Sequence, residues 1–358
     1  MSKKLKPKPK LSVAKRQPPK WQHERNLSLL VWIIMPVIIA LAVGLVGYWG
    51  YDTYVAAWTQ PIVKIGNETI VDETTGNEIR GNVTTVNMRE FVELVRFYSL
   101  SASGNTDVAT FPYQVLGTIE NNALVIQAAP ALGIQVTQDE VTNKINNELI
   151  SAATGGGNST GNITGNITLP DTELGKMYQQ LLSYSGLSDS QYKYYVEAGI
   201  ATQKLDDLLK SKVPAEGKQV HVYAMKVDNE GNATAVENML KNGGNFTTIA
   251  AEFSTDETSK QNGGDLGWVP QGILFPELDQ AAFSLAAGNF SEPILASNGY
   301  YYIIQVTEVE ENRPIEEQYR QMLASIAFNN WFKEQRNIVE IREYLDQAKA
   351  TWAMNHIT

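Results

Sequence analysis

Few groups in this 358-residue chain could break a covalent bond. Cysteine is absent, which excludes thiol nucleophiles, thiolate metal sites, disulfides and a lipidated amino-terminal cysteine. The three histidines, His23, His221 and His356, are scattered, which argues against a Ser-His triad, and no grouping of His, Asp and Glu suggests a metal hydrolase. What remains lies between positions 253 and 302. Asp256 stands in a Ser-Thr-Asp-Glu-Thr-Ser run, Asn262-Gly-Gly-Asp-Leu-Gly-Trp268 forms a glycine-rich turn, Leu266, Leu274 and Leu278 follow closely, and tyrosines fill 300–302. A carboxylate and phenols beside apolar side chains can hold and polarise a neutral group without attacking it. Taken alone, each also has a plainer reading: Asp256 as a turn or capping acid, the leucines as core, the tyrosines as strand packing.

The elements that must position these residues are readable from periodicity. Gln219 to Val227 alternates and is rich in β-branched and aromatic residues, as a strand should be. Helical patterns follow at Ala233–Lys241 and Phe246–Phe253, with Gly243-Gly244 between them, and again from Pro276 to Leu285. Tyr300 to Thr307 reads as a second strong strand. This order predicts an α+β module over 217–310 with an antiparallel sheet. Arg313-Pro314 ends the strand, and Ile315 to Arg336 then carries a broad apolar face with Tyr319, Met322, Leu323, Ile326, Trp331 and Phe332. A short strand is expected at Ile338–Ile341 and a frayed end over 346–358.

Residues 60–215 read as mostly helical. Asn87 and Glu90, Thr137 and Glu140, and Ser188 and Gln191 have capping-box spacing, each ahead of an apolar stripe, and a further helix is expected around Glu120 to Leu132. Thr154 to Thr168 is a Gly/Asn/Thr tract too poor in apolar residues to order itself.

Charge is divided sharply. Residues 1–25 hold nine of the 29 Lys and Arg but one of the 39 Asp and Glu, so the rest is far more acidic than the overall −10 indicates, which disfavours a nucleic-acid surface. Asn26 through Tyr51 contains no charged side chain and is long enough to span a bilayer, with Trp32, Tyr48, Trp49 and Tyr51 toward its ends. The basic cluster before it predicts a cytoplasmic amino terminus of 1–25, an uncleaved anchor at 26–51 in the plasma membrane, and an extracytoplasmic remainder. A cleaved signal peptide is the competing reading, but the apolar stretch is longer than a signal core.

Phe253-Ser254, Asp256, Ser259-Lys260, Gly263-Gly264-Asp265-Leu266-Gly267-Trp268, Gly272, Pro276, Ala281-Ala282-Phe283, Gly288, Pro293 and Gly299-Tyr300 keep the order and spacing of the parvulin-type (PpiC, rotamase) peptidyl-prolyl cis/trans isomerases. The module over 217–310 resembles that family closely. Leu124 to Val141 is similar to a helix, Gly-Ile turn and capped helix in the amino-terminal chaperone domain of SurA-like and PrsA-like foldases. In such chains a helix ending like Phe328–Arg336 returns to complete that domain, here over 313–345. The resemblance implies a parvulin fold of the FKBP-like α+β type behind a helical chaperone domain at 60–215. Its implied activity is X-Pro isomerisation, its partners are unfolded or proline-containing exported polypeptides, and it requires no metal or small-molecule cofactor. It puts a proline-binding surface on Leu266, Leu274 and Leu278, beside Phe283 and Ala224, with Asp256 facing the amide.

This chain departs from the pattern in places. The family's first-strand histidine falls on Ala224. Its last-strand histidine falls on Tyr301 or Tyr302, depending on whether Gly299 or Val306 sets the register, so Asp256 and one of these hydroxyls form the expected polar set. His221 is no substitute, because three residues along a strand places it on the other face. Leu278 stands where the family has Phe. A runner-up reading is therefore a non-catalytic chaperone or scaffold that keeps the parvulin fold for peptide binding, and a third is an adaptor acting through the basic tail.

Overall fold

A computed structural model describes residues 35, 37–48, 50–51, 55–67, 69–71, 78–80, 82–101, 109–154 and 169–357. Contacts divide them into two units, one up to Pro61 with Asn87–Arg89, the other Ile62–Val86 with Glu90 onward. In the first, Met35 and residues 37–48, 50 and 51 are helical, and Val37, Ile38, Ile39, Leu41, Val43 and Leu45 are exposed. Residues 26–34, 36 and 49 of the expected anchor lie outside the described residues, as do the basic tail and most of the 154–168 tract. No helix among the described residues is long and apolar enough to cross a membrane.

The second unit contains the α+β module and a helical module wrapped from both ends of the chain. The helical module starts with β1 (Pro61–Ile65), β2 (Thr69–Val71), β3 (Glu78–Arg80) and β4 (Thr84–Asn87). Helices α1 (Met88–Ser101), α2 (Phe111–Ala128), α3 (Gln138–Ala153), α4 (Asp171–Ser185) and α5 (Asp189–Lys212) follow. Both Thr137 on α3 and Ser188 on α5 close full capping boxes, with Glu140 and Gln191 reaching back to the cap residue. Helix α2 begins at Phe111, well before Glu120, because Pro112 fits the first turn, where no N–H partner is needed. Helix α4 was not anticipated, although Asp171 and Glu173 in its first turn and left-handed Gly186 (φ 81°) at its end are ordinary start and stop signals.

After the α+β module the chain returns through α10 (Glu317–Ile338), β9 (Ile341–Glu343) and α11 (Gln347–Met354). Helix α10 packs on α5 and α2, with Trp331 and Phe332 buried. Strand β9 pairs antiparallel with β1, Val63 opposite Glu343 and Ile65 opposite Ile341, in a sheet of order β4-β1-β9. The carboxyl-terminal segment thus packs on the amino-terminal module, and the short strand begins three residues later than the sequence suggested, sharing Ile341 with the expected span. The expected fraying of 346–358 is corrected over α11. Asp346 caps that helix by accepting from the Lys349 N–H at 2.8 Å, and Ala350 and Ala353 are fully covered where α11 meets α2. Alanines bury without a visible apolar stripe, which is why the pattern concealed them.

The α+β module runs β5 (Glu216–Val227), α6 (Glu230–Lys241), α7 (Phe246–Phe253), α8 (Glu257–Lys260), β6 (Asp265–Pro270), α9 (Pro276–Ser284), β7 (Ile294–Leu295) and β8 (Tyr301–Pro314). Its four-stranded antiparallel sheet has the order β6-β5-β8-β7, so the two long strands are central. Alternation along β5 builds two cores. Met225 and Val227 pack with α6 and α7 on one face, and Val220, Val222 and Ala224 pack with Leu278 and Ala282 of α9 on the other. Each buried Val or Leu contributes on the order of 1.5–3 kcal/mol, so both faces are firmly specified.

Candidate functional site

The α9 face of the sheet collects most of the residues singled out above. Ala224, Leu278 and Ile304 are buried there, and Leu266, Leu274, Phe283, Ile294 and Tyr302 pack against them while remaining partly exposed. Leucines alone could have belonged to any core. What makes this cluster a surface is that Leu278 forms its floor at 3% exposure while Leu266 and Leu274 reach solvent above it.

The glycine-rich turn explains how Leu266 gets there. Gly264 has φ 85°, and a Cβ on it would lie 2.6 Å from the Ala224 carbonyl oxygen, so only glycine lets the turn close onto β5. The Ala224 N–H then donates to the Gly264 carbonyl at 2.8 Å. Next, β6 pairs Gly267 with Val222 but Asp265 with Tyr223, leaving Leu266 as the extra residue of a β-bulge. Gly267 takes the left-handed conformation (φ 72°), and its N–H donates to Asp265 Oδ1 at 2.8 Å. The Gly-Asp-Leu-Gly phrase is thus a device for re-aiming one leucine. Leu274 is held by similar means: Asp279 on α9 accepts the Gly272 N–H at 2.8 Å, tying the 271–275 loop to the helix, and burial raises that carboxyl above its usual value.

Pairing between β5 and β8 decides between the tyrosines. Lys226 lies opposite Tyr302 and Val227 opposite Tyr301. Tyr302 therefore shares the face of Ala224, and Tyr301 packs into the α6–α7 core with Val227 and Phe290. Tyr301 is thus on the opposite face from Ala224, as adjacent residues on a strand point to opposite sides. His221 also lies behind the sheet, as its spacing from Ala224 required, with Nδ1 3.0 Å from Thr307 Oγ1 and Nε2 3.5 Å from Asp265 Oδ1.

Asp256 takes a local role. Its Oδ1 accepts the Thr258 N–H at 3.2 Å and its Oδ2 accepts the Ser259 hydroxyl at 2.8 Å, so the half-buried carboxylate caps α8. Among the described residues its side-chain bonds all go to these two neighbours. The Thr255 N–H donates to the Lys226 carbonyl at 2.8 Å, which brings the segment alongside β5.

Three side chains at the rim escaped sequence reasoning. The exposed ring of Phe275 lies 6.2 Å from that of Tyr302, centroid to centroid, adding aromatic surface beside smaller Leu278. Lys226 places its ammonium 3.9 Å from the Tyr300 ring centre. Asn298 donates its amide to the Tyr302 hydroxyl at 2.9 Å. Phe275 and Asn298 adjoin recognised motif positions, but only the fold turns them toward Tyr302. The assembled surface is apolar at its base and carries a phenolic hydroxyl at its edge, which suits a compact ring with a polar amide attached.

The PPIC-type PPIase domain family matches residues 218–308, and the SurA-like N-terminal domain family matches residues 22–152. The chain is 39% identical over 98 residues to the foldase protein PrsA of Oceanobacillus iheyensis, covering 27% of this chain and 32% of that one. It is 33% identical over 138 residues to foldase protein PrsA 1 of Bacillus cereus, covering 37% and 47%. The chain thus spans about half or less of these curated relatives. Among solved structures, a PrsA peptidylprolyl isomerase from Bacillus cereus aligns with 80% of this chain and 97% of its own at 19% identity, with a TM-score of 0.40. The parvulin NmPin of Nitrosopumilus maritimus aligns with 26% and 99% at 32% identity, with a TM-score of 0.24. The chain carries a SurA-like N-terminal domain followed by a domain of the PPIC-type PPIase family.

Proposed function

We propose that the protein is a membrane-tethered, extracytoplasmic foldase that isomerises X-Pro bonds in exported polypeptides and holds those polypeptides while they are unfolded. The observation that carries the isomerase reading is the convergence of Ala224, Leu266, Leu274, Leu278 and Tyr302 on one face of the β5–β8 sheet. Rotation about the X-Pro amide meets a barrier of roughly 18–20 kcal/mol because twisting abolishes resonance. No bond breaks and no proton need move. A catalyst has only to bind the twisted amide better than the planar one. The proline ring sits on the leucines, while Tyr302 supplies a hydroxyl to an amide whose nitrogen lone pair has been released by twisting. Asp256 contributes by fixing α8 and the turn that follows.

The exposed apolar helix at residues 37–48 supports the tether. Side chains such as Leu41, Val43 and Leu45 find no protein cover in their own unit, and a bilayer would provide it. The basic tail preceding it orients the remainder outward. The helical module is the holding element.

The test is cis-to-trans conversion in a short proline peptide, measured on the full chain in detergent. The wild type should exceed the uncatalysed rate, Tyr302→Phe should reduce that excess, and Asp256→Ala should reduce it less. A wild-type rate at background would sink the isomerase reading and leave a peptide-holding scaffold. Suppressed client aggregation that survives removal of 217–310 would assign holding to the helical module.

A further inference from the structure

The Tyr302 hydroxyl must point its proton at the ligand for this reading to work, and the turn before β8 governs that direction. Asn298 Oδ1 accepts the Tyr300 backbone N–H at 3.2 Å. Because an N–H can only donate, the oxygen end of the amide is fixed toward the backbone and the Nδ2 end toward Tyr302, 2.9 Å from its oxygen. Tyr302 is therefore the acceptor in that bond. Its own proton finds no acceptor among the described residues. The turn is itself pinned: Gly299 has φ 83° and donates to Ala296 at 2.9 Å, the Ala296 N–H donates to Tyr300 at 3.0 Å, and Ala296 is buried. Ile294 lies opposite Tyr302 on β7 and the Phe275 ring borders it, so the phenol has neighbours on both sides.

We propose that Asn298 is a positioning residue that fixes Tyr302 as a hydrogen-bond donor toward the bound prolyl amide. This rests on the isomerase reading above. In a planar amide the nitrogen lone pair is delocalised and accepts poorly. In the twisted amide it is localised and accepts well, so a fixed donor favours the twisted state selectively. A phenol free to rotate would spend part of its time offering lone pairs instead, which repel that nitrogen.

Asn298→Asp is the informative change. The carboxylate still accepts the Tyr300 N–H, so the turn survives, but it has no donor for Tyr302 and instead captures the phenolic proton. The full chain in detergent would be assayed for peptide isomerisation across pH 3.5 to 8, comparing wild type, Asn298→Asp, Asn298→Ala, Tyr302→Phe and the Tyr302→Phe/Asn298→Asp double variant. Near neutral pH, Asn298→Asp should fall to the Tyr302→Phe level, about 10-fold below wild type for the loss of one hydrogen bond of ordinary strength. The loss should lie in kcat with KM little changed. Activity should recover as the new carboxyl is protonated at acidic pH, and adding Asn298→Asp to Tyr302→Phe should change nothing further. Asn298→Ala should lose less, because it removes the donor without supplying a competing acceptor. If the wild type is active but Asn298→Asp matches it, or acts equally in the Tyr302→Phe background, the inference is overturned and the isomerase reading stands. If the wild type itself runs at background, both fall.

Discussion

Replacing Glu120 with Gln should make the helical module more stable at neutral pH while leaving it little changed in acid. Glu120 lies on α2 at 6% exposure beside Glu343 of β9, and when the carboxyl is ionised its buried Oε1 has no donor to satisfy it among the described residues. Its Oε2 is 3.9 Å from Arg336 of α10, whose guanidinium also donates to Asn121 Oδ1 at 2.6 Å. Burial raises the Glu120 pKa from 4.5 to about 7, the nearby Glu343 of β9 adds to the rise, and Arg336 offsets part of it. Between these two values the folded protein holds a proton that the unfolded chain has released, so stability falls as pH rises through the window. A displacement of this size corresponds to about 3 kcal/mol, or roughly 300-fold in an opening equilibrium. Gln cannot ionise and escapes the penalty. Hydrogen exchange of the α2, α10 and β9 amides, compared between wild type and Glu120→Gln at the same pH, reads this directly, because the intrinsic exchange rate cancels. The ratio of protection should grow in favour of Gln from pH 4.5 to pH 8 by up to that factor. A ratio flat across this range would refute the assignment of a buried, proton-retaining carboxyl to the join between α2 and the returning carboxyl-terminal segment.

Leu278→Ala should cost roughly 2–5 kcal/mol in thermal unfolding of the α+β module and lower isomerisation, since Leu278 is buried under the whole apolar surface. Gly264→Ala should cost at least about 1–3 kcal/mol, because alanine meets both a positive φ of 85° and the Ala224 carbonyl at 2.6 Å; an unchanged melting temperature would exclude the proposed turn closure. Removing residues 346–358 should speed hydrogen exchange in α2, since Ala350 and Ala353 cover that helix and the Ile357 carbonyl accepts from Arg96 Nε at 2.9 Å.

Local chemistry made the capped helices legible: Thr137 with Glu140, and Ser188 with Gln191, bond as their spacing requires. The sheet face of the site was legible in composition but not in detail. Both Tyr301 and Tyr302 satisfied a reasonable alignment, and only the pairing of β8 with β5 assigns Tyr302 to the Ala224 face, because a one-residue shift reverses every side chain. Strand β1 was hidden for a related reason. Pro61-Ile-Val-Lys-Ile65 is too short to be distinctive, and its partner Ile341–Glu343 arrives only at the far end of the chain. Asp256 had two readings from the start, and its bonds to Thr258 and Ser259 realise the capping one.

The histidine of the α+β module lies outside the candidate site but next to the turn that shapes it. His221 lies on the far side of β5 between Thr307 and Asp265, with the Tyr223 and Trp268 rings 5.3 and 5.6 Å away. The same Asp265 Oδ1 accepts the Gly267 N–H that shapes the bulge, so the imidazole lies behind the turn that delivers Leu266 in front. On the candidate face, Ala224 and Tyr302 stand where the parvulin resemblance would put histidines, so on the proposed reading a single phenol takes the place of an imidazole pair. A reaction that moves no proton tolerates that exchange, provided the remaining donor is correctly oriented. On the proposed isomerase reading, catalytic capacity rests on the direction of one O–H bond, and the Asn298–Gly299 turn would then matter alongside the leucines beneath.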